Sequence, residues 1–364
     1  MAEEQLFHIS SSPHIRDTQT VPSIMRDVII ALIPALIAGV LVFGIRALIV
    51  TVVAVISAVL TEQIIATKML KKTSPIGDLS AIVTGILLAF NVPVSIPLPL
   101  VAIGSAFAIG VAKWAFGGLG GNFINPALAG RAFLLSSSMA YMTGGAFSRV
   151  GSSLGKLPES LSGIPHVVAQ NISSSLSIPV DAITQATPLA SLATILENGA
   201  SSDIVMQLQN AFQPLFLGNI GGTIGETSAA AIILGGIYML WRRVIDFTIP
   251  LTYIGVTFLL FWIFNGIEGA SLLSSAALTI PFYHILSGGL MLGAFFMATD
   301  MVTSPITPPG QFIFAAGAGV LTFVIRKFGG YPEGVSYSIL LMNLLTPLID
   351  RYIRPKVYGT GGKA

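Results

Sequence analysis

The sequence predicts an all-α polytopic membrane protein of about ten transmembrane helices. Of its 364 residues, 53% are hydrophobic and only 9% charged, where a soluble domain carries roughly 25% charged residues. Mean hydropathy is +0.84. Apolar runs also recur at close to the roughly 20 residues that a membrane helix needs. A chain with so few charges cannot cover a water-facing surface, so its helices are expected to face lipid.

The N-terminal tail, residues 1–25, is polar, with Glu3, Glu4, Arg16 and Asp17, and the first apolar run starts at Val28. No cleavable signal peptide is expected; the first helix would act as an uncleaved signal. The first half, 26–141, reads as five spans at about 26–44, 46–68, 79–92, 97–116 and 123–141. A long polar interval, 142–216, follows. The second half, 217–350, reads as spans at about 217–241, 245–265, 284–300, 310–328 and 334–350, and 351–364 form a basic tail. The third span of each half is short and broken by Gly or Pro, and the Ser/Ala-rich piece between Gly266 and Pro281 reads equally as re-entrant or as a crossing. With ten spans, most Lys and Arg residues fall on one side, including Arg16, Lys71, Lys72, Arg242, Arg243 and Arg354. The positive-inside rule makes that side cytoplasmic and puts the 142–216 loop outside.

Leu79-Ser80 precedes Phe116-Gly117-Gly118 much as Leu286-Ser287 precedes Phe328-Gly329-Gly330. Two five-helix halves with an odd number of spans each would be inverted in the membrane, with broken helices meeting near its middle. A second match, Arg26-Asp27-Val28-Ile29 with Arg242-Arg243-Val244-Ile245, does not fit that pairing.

Several function classes are excluded by composition. A net charge of +2 without a basic tract gives no sign of nucleic-acid binding. The absence of cysteine rules out thiolate-held zinc and iron–sulfur clusters on this chain. His8, His14, His166 and His284 are scattered, so a bis-histidine haem has poor support. Any redox group must be held without metal ligands.

Ionisable residues inside spans cost about 2.5–3.5 kcal/mol at a helix centre and need a reason. Glu62, Arg131, Glu226, Asp246 and Asp300 are the candidates. Glu62 and Asp246 are expected near the aqueous interface. Arg131 closes Asn125-Pro126-Ala127-Leu128-Ala129-Gly130-Arg131, where small residues allow close backbone approach and a helix start beside a guanidinium suits an anionic or carbonyl-rich ligand. The competing reading is a packing motif with Arg131 paired to Glu226 or Asp300. Asp300 and Thr303 lie in a proline-broken turn, Thr299-Asp300-Met301-Val302-Thr303-Ser304-Pro305, which offers oxygen ligands to an ion route or simply ends a helix. Gly218 to Ser228, with Glu226, is a glycine-rich helix entry that could cradle a phosphate or a flavin ring.

Within the polar interval, Asp181-Ala182-Ile183-Thr184-Gln185-Ala186-Thr187 reads by itself as a polar turn; Thr187 has no catalytic base in its sequence neighbourhood. The pattern resembles the site at which a flavin transferase joins FMN, through its phosphate, to a threonine outside the cytoplasm. Thr187 is then the acceptor, with Asp181, Thr184 and Ala186 as recognition positions and Gln185 where the motif usually has Gly. In order along the chain stand Asn125-Pro126-Ala127, Ala186-Thr187-Pro188-Leu189, Gly225-Glu226-Thr227-Ser228 and Phe296-Met297-Ala298-Thr299-Asp300. Together these resemble the RnfD family of the Rnf electron-transport complex, related to the NqrB component of the sodium-pumping NADH:quinone reductase. The resemblance covers nearly the whole chain.

It implies two inverted five-helix repeats similar to urea transporters, covalent FMN, and room for a noncovalent riboflavin whose residues the motifs do not place. It implies a phosphoester-modified flavoprotein subunit, not a complete enzyme, in the bacterial inner membrane. Its complex passes electrons between ferredoxin and NAD and moves sodium or protons. The A, B, C, E and G components of the Rnf complex would supply the iron–sulfur clusters and NAD site, and a flavin transferase would mature the chain. Two other readings stay open on the residues alone: an inverted-repeat channel or transporter for a small solute without a redox cofactor, and a scaffold subunit lacking flavin.

Overall fold

The computed structural model describes residues 19–71, 75–143, 189, 212–213, 215–218, 222–267, 275–329 and 333–354, and these residues contain helices and turns but no strand. Helices α1 (Val21–Phe43) and α2 (Ile45–Gln63) are joined at Gly44. A wider turn, Ile64–Met69, extends α2. Short α3 (Ser80–Phe90) follows, then α4 (Leu98–Phe107), extended by wide turns to Lys113, then α5 (Pro126–Ser137) and α6 (Met139–Thr143). The second half has α7 (Ala229–Trp241), α8 (Thr248–Ile267), α9 (Ser275–Leu286), α10 (Leu290–Leu292, extended to Met297), α11 (Pro308–Phe328) and α12 (Val335–Tyr352).

Burial runs inside out compared with a water-soluble protein. Ile33, Ile37 and Leu41 line an exposed stripe of α1, and Ile49, Val52, Ile56 and Leu60 do the same on α2. Meanwhile Asp27, Glu62, Lys113, Arg131, Glu226, Arg326 and Glu333 are buried. Apolar surface outside and ionisable groups inside is the arrangement lipid demands, so this is a multi-pass membrane protein. By length and composition, four described helices can cross a bilayer: α1, extended α2, extended α4 and α11. Helices α9 and α10 make a fifth if their pair, bent by 67° at the break, is one span.

Shorter apolar stretches are α3, α7 and the Thr248–Phe264 part of α8. Helix α3 has 11 residues, or about 16 Å at 1.5 Å each, half the roughly 30 Å of a hydrocarbon core. Its end at Asn91 therefore lies in the interior, where polar groups must find partners. Asn91 Nδ2 donates to the Leu87 carbonyl at 2.6 Å. The exposed carbonyls of the following turn are covered by Arg46, which donates to Val94 at 2.9 Å and Ser95 at 3.4 Å.

Helices pack closely where glycine permits. A Cβ at Gly130 in α5 would lie 2.9 Å from the Gly104 carbonyl in α4, and one at Gly235 in α7 would strike the Ala31 carbonyl in α1. Such small-residue seams replace the hydrophobic drive that lipid does not supply. The two segments of the second sequence match also meet at one rim of the molecule, where Arg242 Nη2 bonds Asp27 Oδ2 at 3.0 Å. Asp27 holds the Arg242 guanidinium charged even more firmly than usual.

Candidate functional site

Arg131 lies six residues into α5, and its position follows from the helix start. Asn125 caps α5, its side-chain oxygen accepting from Ala127 N–H at 3.0 Å and Leu128 N–H at 3.3 Å. Its amide donates to the Met297 carbonyl at 3.3 Å, tying α5 to the end of extended α10. Pro126 at the first helical position is preset for a helix. Arg131 then projects to the end of α3. Its Nη1 donates to Asn91 Oδ1 at 2.9 Å, Glu333 Oε1 at 2.6 Å and Ser336 Oγ at 2.8 Å. Nη2 pairs with Glu333 Oε2 and lies 3.9 Å from Glu226 Oε1.

Of the two partners expected for Arg131, Glu226 is present at the longer distance. Asp300 is not among the contacts of Arg131; it bonds its own turn instead, accepting from Val302 N–H at 3.3 Å and Thr303 Oγ1 at 3.2 Å. Such local bonds are what an Asp makes in a turn. The main partner, Glu333, escapes the sequence candidates because it precedes the last predicted span by one residue. A lone acid beside the apolar run of Val335 onward is the signal that could have found it.

Glu62 corrects a second expectation. It is not at the aqueous interface but 1% exposed. Its Oε1 accepts from Lys113 Nζ at 2.5 Å and Trp114 Nε1 at 3.1 Å. Lys113 also donates to Ser80 Oγ at 2.6 Å. Asp246 is exposed, as expected. The α3 helix thus has a buried cation at each end, Lys113 at Ser80 and Arg131 at Asn91. Lys113 sits inside the predicted fourth span, and its isolation in that apolar run is the signal to read.

In the second half, Arg326 plays a part like that of Lys113. Its Nη2 donates to the Ser287 carbonyl at 3.3 Å, its Nε to the Glu333 carbonyl at 3.0 Å and its Nη1 to the His284 carbonyl. A guanidinium suits three carbonyls gathered from the end of α9 and the entrance of α12 because its donors lie in a fixed fork.

A partly open cavity lies beside the α5 start. Its polar wall includes Ser80, Lys113, Asn122, Asn125 and Asp300 and its apolar wall Leu87, Met239 and Phe296. That mixture of polar and apolar walls suits an organic ligand. Asn122 Oδ1 is buried without a hydrogen-bond partner, an acceptor for a ligand N–H. Asp181, Thr184, Ala186 and Thr187 lie outside the described residues. Leu189 is described: it is buried, and its Cδ2 is 3.7 Å from where a Cβ would stand on Gly288, beside Arg326 and Glu333.

Similarity to known proteins follows the same span of chain. A model of the NQR2, RnfD, RnfE family matches residues 8–359. The chain belongs to that family. One similar member is the D component of the sodium-translocating ferredoxin:NAD(+) oxidoreductase complex of Acetobacterium woodii, 44% identical over 354 residues, 96% of this chain and 95% of the relative. The D component of the proton-translocating ferredoxin:NAD(+) oxidoreductase complex of Clostridium ljungdahlii is 43% identical over 369 residues, 99% of each chain. The D component of the ion-translocating oxidoreductase complex of Salmonella enteritidis is 38% identical over 364 residues, 97% of this chain and 99% of the relative. The first two family members are nearly equally similar yet named for different ions, so overall identity does not select the ion.

Proposed function

We propose that this chain is the membrane-embedded RnfD component of an Rnf-type, ion-translocating ferredoxin:NAD+ oxidoreductase complex, carrying FMN covalently on Thr187 and riboflavin in the cavity beside Asn125. The observation that carries this reading is convergence. Asn125 bonds Met297, Arg131 faces Glu226, and Leu189 packs at Gly288 beside Glu333. Described residues of three of the ordered motifs, with Leu189 from the fourth, thus lie around one buried network, which supports the reading.

In this reading the chain folds as ten spans in two inverted repeats like those of urea transporters, in the bacterial inner membrane, with the 142–216 loop outside. The placement of Lys113 and Arg326 supports it: Lys113, late in extended α4, bonds the Ser80 side chain at the start of α3, and Arg326, late in α11, bonds the Ser287 carbonyl just past the end of α9. Asn122 and Lys113 would hold the polar edge of the noncovalent flavin, and Phe296, Met239 and Leu87 its apolar body. When bound, flavins supply one- and two-electron carriage between the components of the complex. The chain itself fixes Arg131 among Asn91, Glu226, Glu333 and Ser336. It excludes water from the middle of the fold and offers Asp300 and Thr303 as oxygen groups of an ion route. With no cysteine of its own, it depends on the A, B, C, E and G components for the iron–sulfur clusters and NAD site.

The test is co-expression with a flavin transferase followed by a denaturing gel read for flavin fluorescence. The parent band should fluoresce and Thr187→Ala should be dark. A dark parent leaves a solute channel or a flavin-free scaffold as the better reading, and a fluorescent Thr187→Ala places the flavin elsewhere.

A further inference from the structure

Leu189 is the described residue nearest in sequence to the flavin acceptor proposed above, and it is buried, with 4% of its surface exposed. Its Cδ2 lies 3.7 Å from where a Cβ would stand on Gly288, an ordinary van der Waals distance. Gly288 has φ +70°, a left-handed conformation that glycine adopts without strain. It falls between the end of α9 at Leu286 and the start of α10 at Leu290, where the helix pair bends by 67°. The same point on Gly288 is 3.1 Å from Arg326 Nη2 and 3.7 Å from Glu333 Cγ. An apolar side chain from the 142–216 interval is thus set against the helix break, beside the aliphatic part of Glu333 and the Arg326 fork.

Leu189 follows Thr187 by two residues. An extended chain spans at most about 3.6 Å per residue, so covalent geometry keeps the two Cα atoms within about 7 Å of each other. The residue between them is Pro188. A proline ring fixes its own φ at about −65°, and it biases the residue before it towards extended backbone. Few soft dihedrals therefore separate the buried leucine from the threonine. Seating one restricts where the other can point.

We propose that Leu189 is a positioning residue for the covalent flavin: seated at the α9–α10 break, it holds the flavin on Thr187 against the foot of α10 without being needed for attachment. The proposal rests on the Thr187 reading and adds a place and an anchor to it. From Leu290 to Phe296 in the cavity wall is six residues, about 9 Å along an ideal helix. One short element then links the anchored flavin to the cavity.

The test uses the full-length chain, co-expressed with a flavin transferase and purified in detergent, with Thr187→Ala as the blank for noncovalent flavin. Leu189→Ala should keep the in-gel fluorescence of the parent. In the folded sample, iodide should quench its Thr187-dependent fluorescence about threefold more strongly, and the anisotropy of that fluorescence should fall. Leu189→Met, which restores the volume, should match the parent on both readouts. If Leu189→Ala does not fold, Leu189→Val carries the test, with a smaller rise in quenching. A lower melting temperature with unchanged quenching and anisotropy would overturn the proposal, because Leu189 would then only pack the fold. Loss of in-gel fluorescence in Leu189→Ala would also overturn it, by making Leu189 a recognition residue for the transferase. A parent band without fluorescence defeats the Thr187 reading and the anchor together, whereas a fluorescent parent with indifferent Leu189 variants defeats the anchor alone.

Discussion

Arg131 and Glu333 stand 202 positions apart in the chain and 2.6 Å apart in the fold, Nη1 to Oε1. Their bond fastens α5 in the first half to the entrance of α12 in the second. Both side chains are buried, so each is tolerable only because of the other. Removing one partner of such a pair strands a charge and costs about 3–5 kcal/mol, whereas removing both is far milder. Arg131→Met should therefore lower the thermal stability of the detergent-purified complex sharply. Arg131→Met with Glu333→Gln should recover much of the loss in a double-mutant cycle. Arg131→Lys should not rescue, because one ammonium cannot serve Asn91, Ser336 and both Glu333 oxygens in the guanidinium's planar geometry.

Lys113 and Glu62 form the matching pair at the other end of α3, at 2.5 Å. Lys113→Met leaves Glu62 buried and uncompensated, with its Oε2 already lacking a partner. A loss of about 3–5 kcal/mol is expected, visible as lower assembly yield. Because Lys113 also lines the cavity, the double variant Lys113→Met/Glu62→Gln should regain stability and still retain less noncovalent flavin after purification than the parent.

The seam between α1 and α7 gives a steric prediction. Gly235→Ala drives a methyl into the Ala31 carbonyl and the Phe296 ring and should destabilise by about 1–3 kcal/mol, the usual cost of overpacking. Gly255→Ala in α8 meets nothing within 4 Å and should leave the melting temperature unchanged. Equal losses in both would indicate that the seam is looser than its contacts imply.

By contrast, Arg242 at the rim is half-exposed, and its bond to Asp27 is open to salt. Surface pairs contribute little. Arg242→Gln should cost less than loss of Arg131, since Gln can still donate to the buried Asp27 beside the Tyr238 hydroxyl, with the difference from the parent shrinking as salt rises. A large, salt-insensitive loss would mean that this pair is shielded in the assembled complex.

Asp300→Asn tests the ion route. The Asn keeps one oxygen to accept from Val302 N–H, and its amide can donate to Thr303 Oγ1 where the carboxylate accepted from it, so the charge is removed and the turn should persist. Ion movement coupled to electron transfer in proteoliposomes should fall. Coupling equal to that of the parent would reduce Asp300 to a helix-end residue.

The sequence by itself determined that the protein is helical and lipid-embedded, because charge scarcity and long apolar runs are properties of composition and local order. It also determined that α3 would be short, from Gly and Pro punctuation, and that Arg131, Glu226 and Asp300 needed a reason to lie among apolar residues. Only the tertiary structure decided which charges meet. Glu62 looks interfacial in sequence because its neighbours lead towards Lys68 and Lys71, yet α4 folds Lys113 onto it and closes water out. Glu333 looks like a loop residue because span edges are blurred in sequence, yet the close packing of α5 on α4 and α12 puts Arg131 beside it. An ion pair depends on distances across the fold that periodicity along the chain does not encode, and in a low-dielectric interior those distances decide which charges can stay.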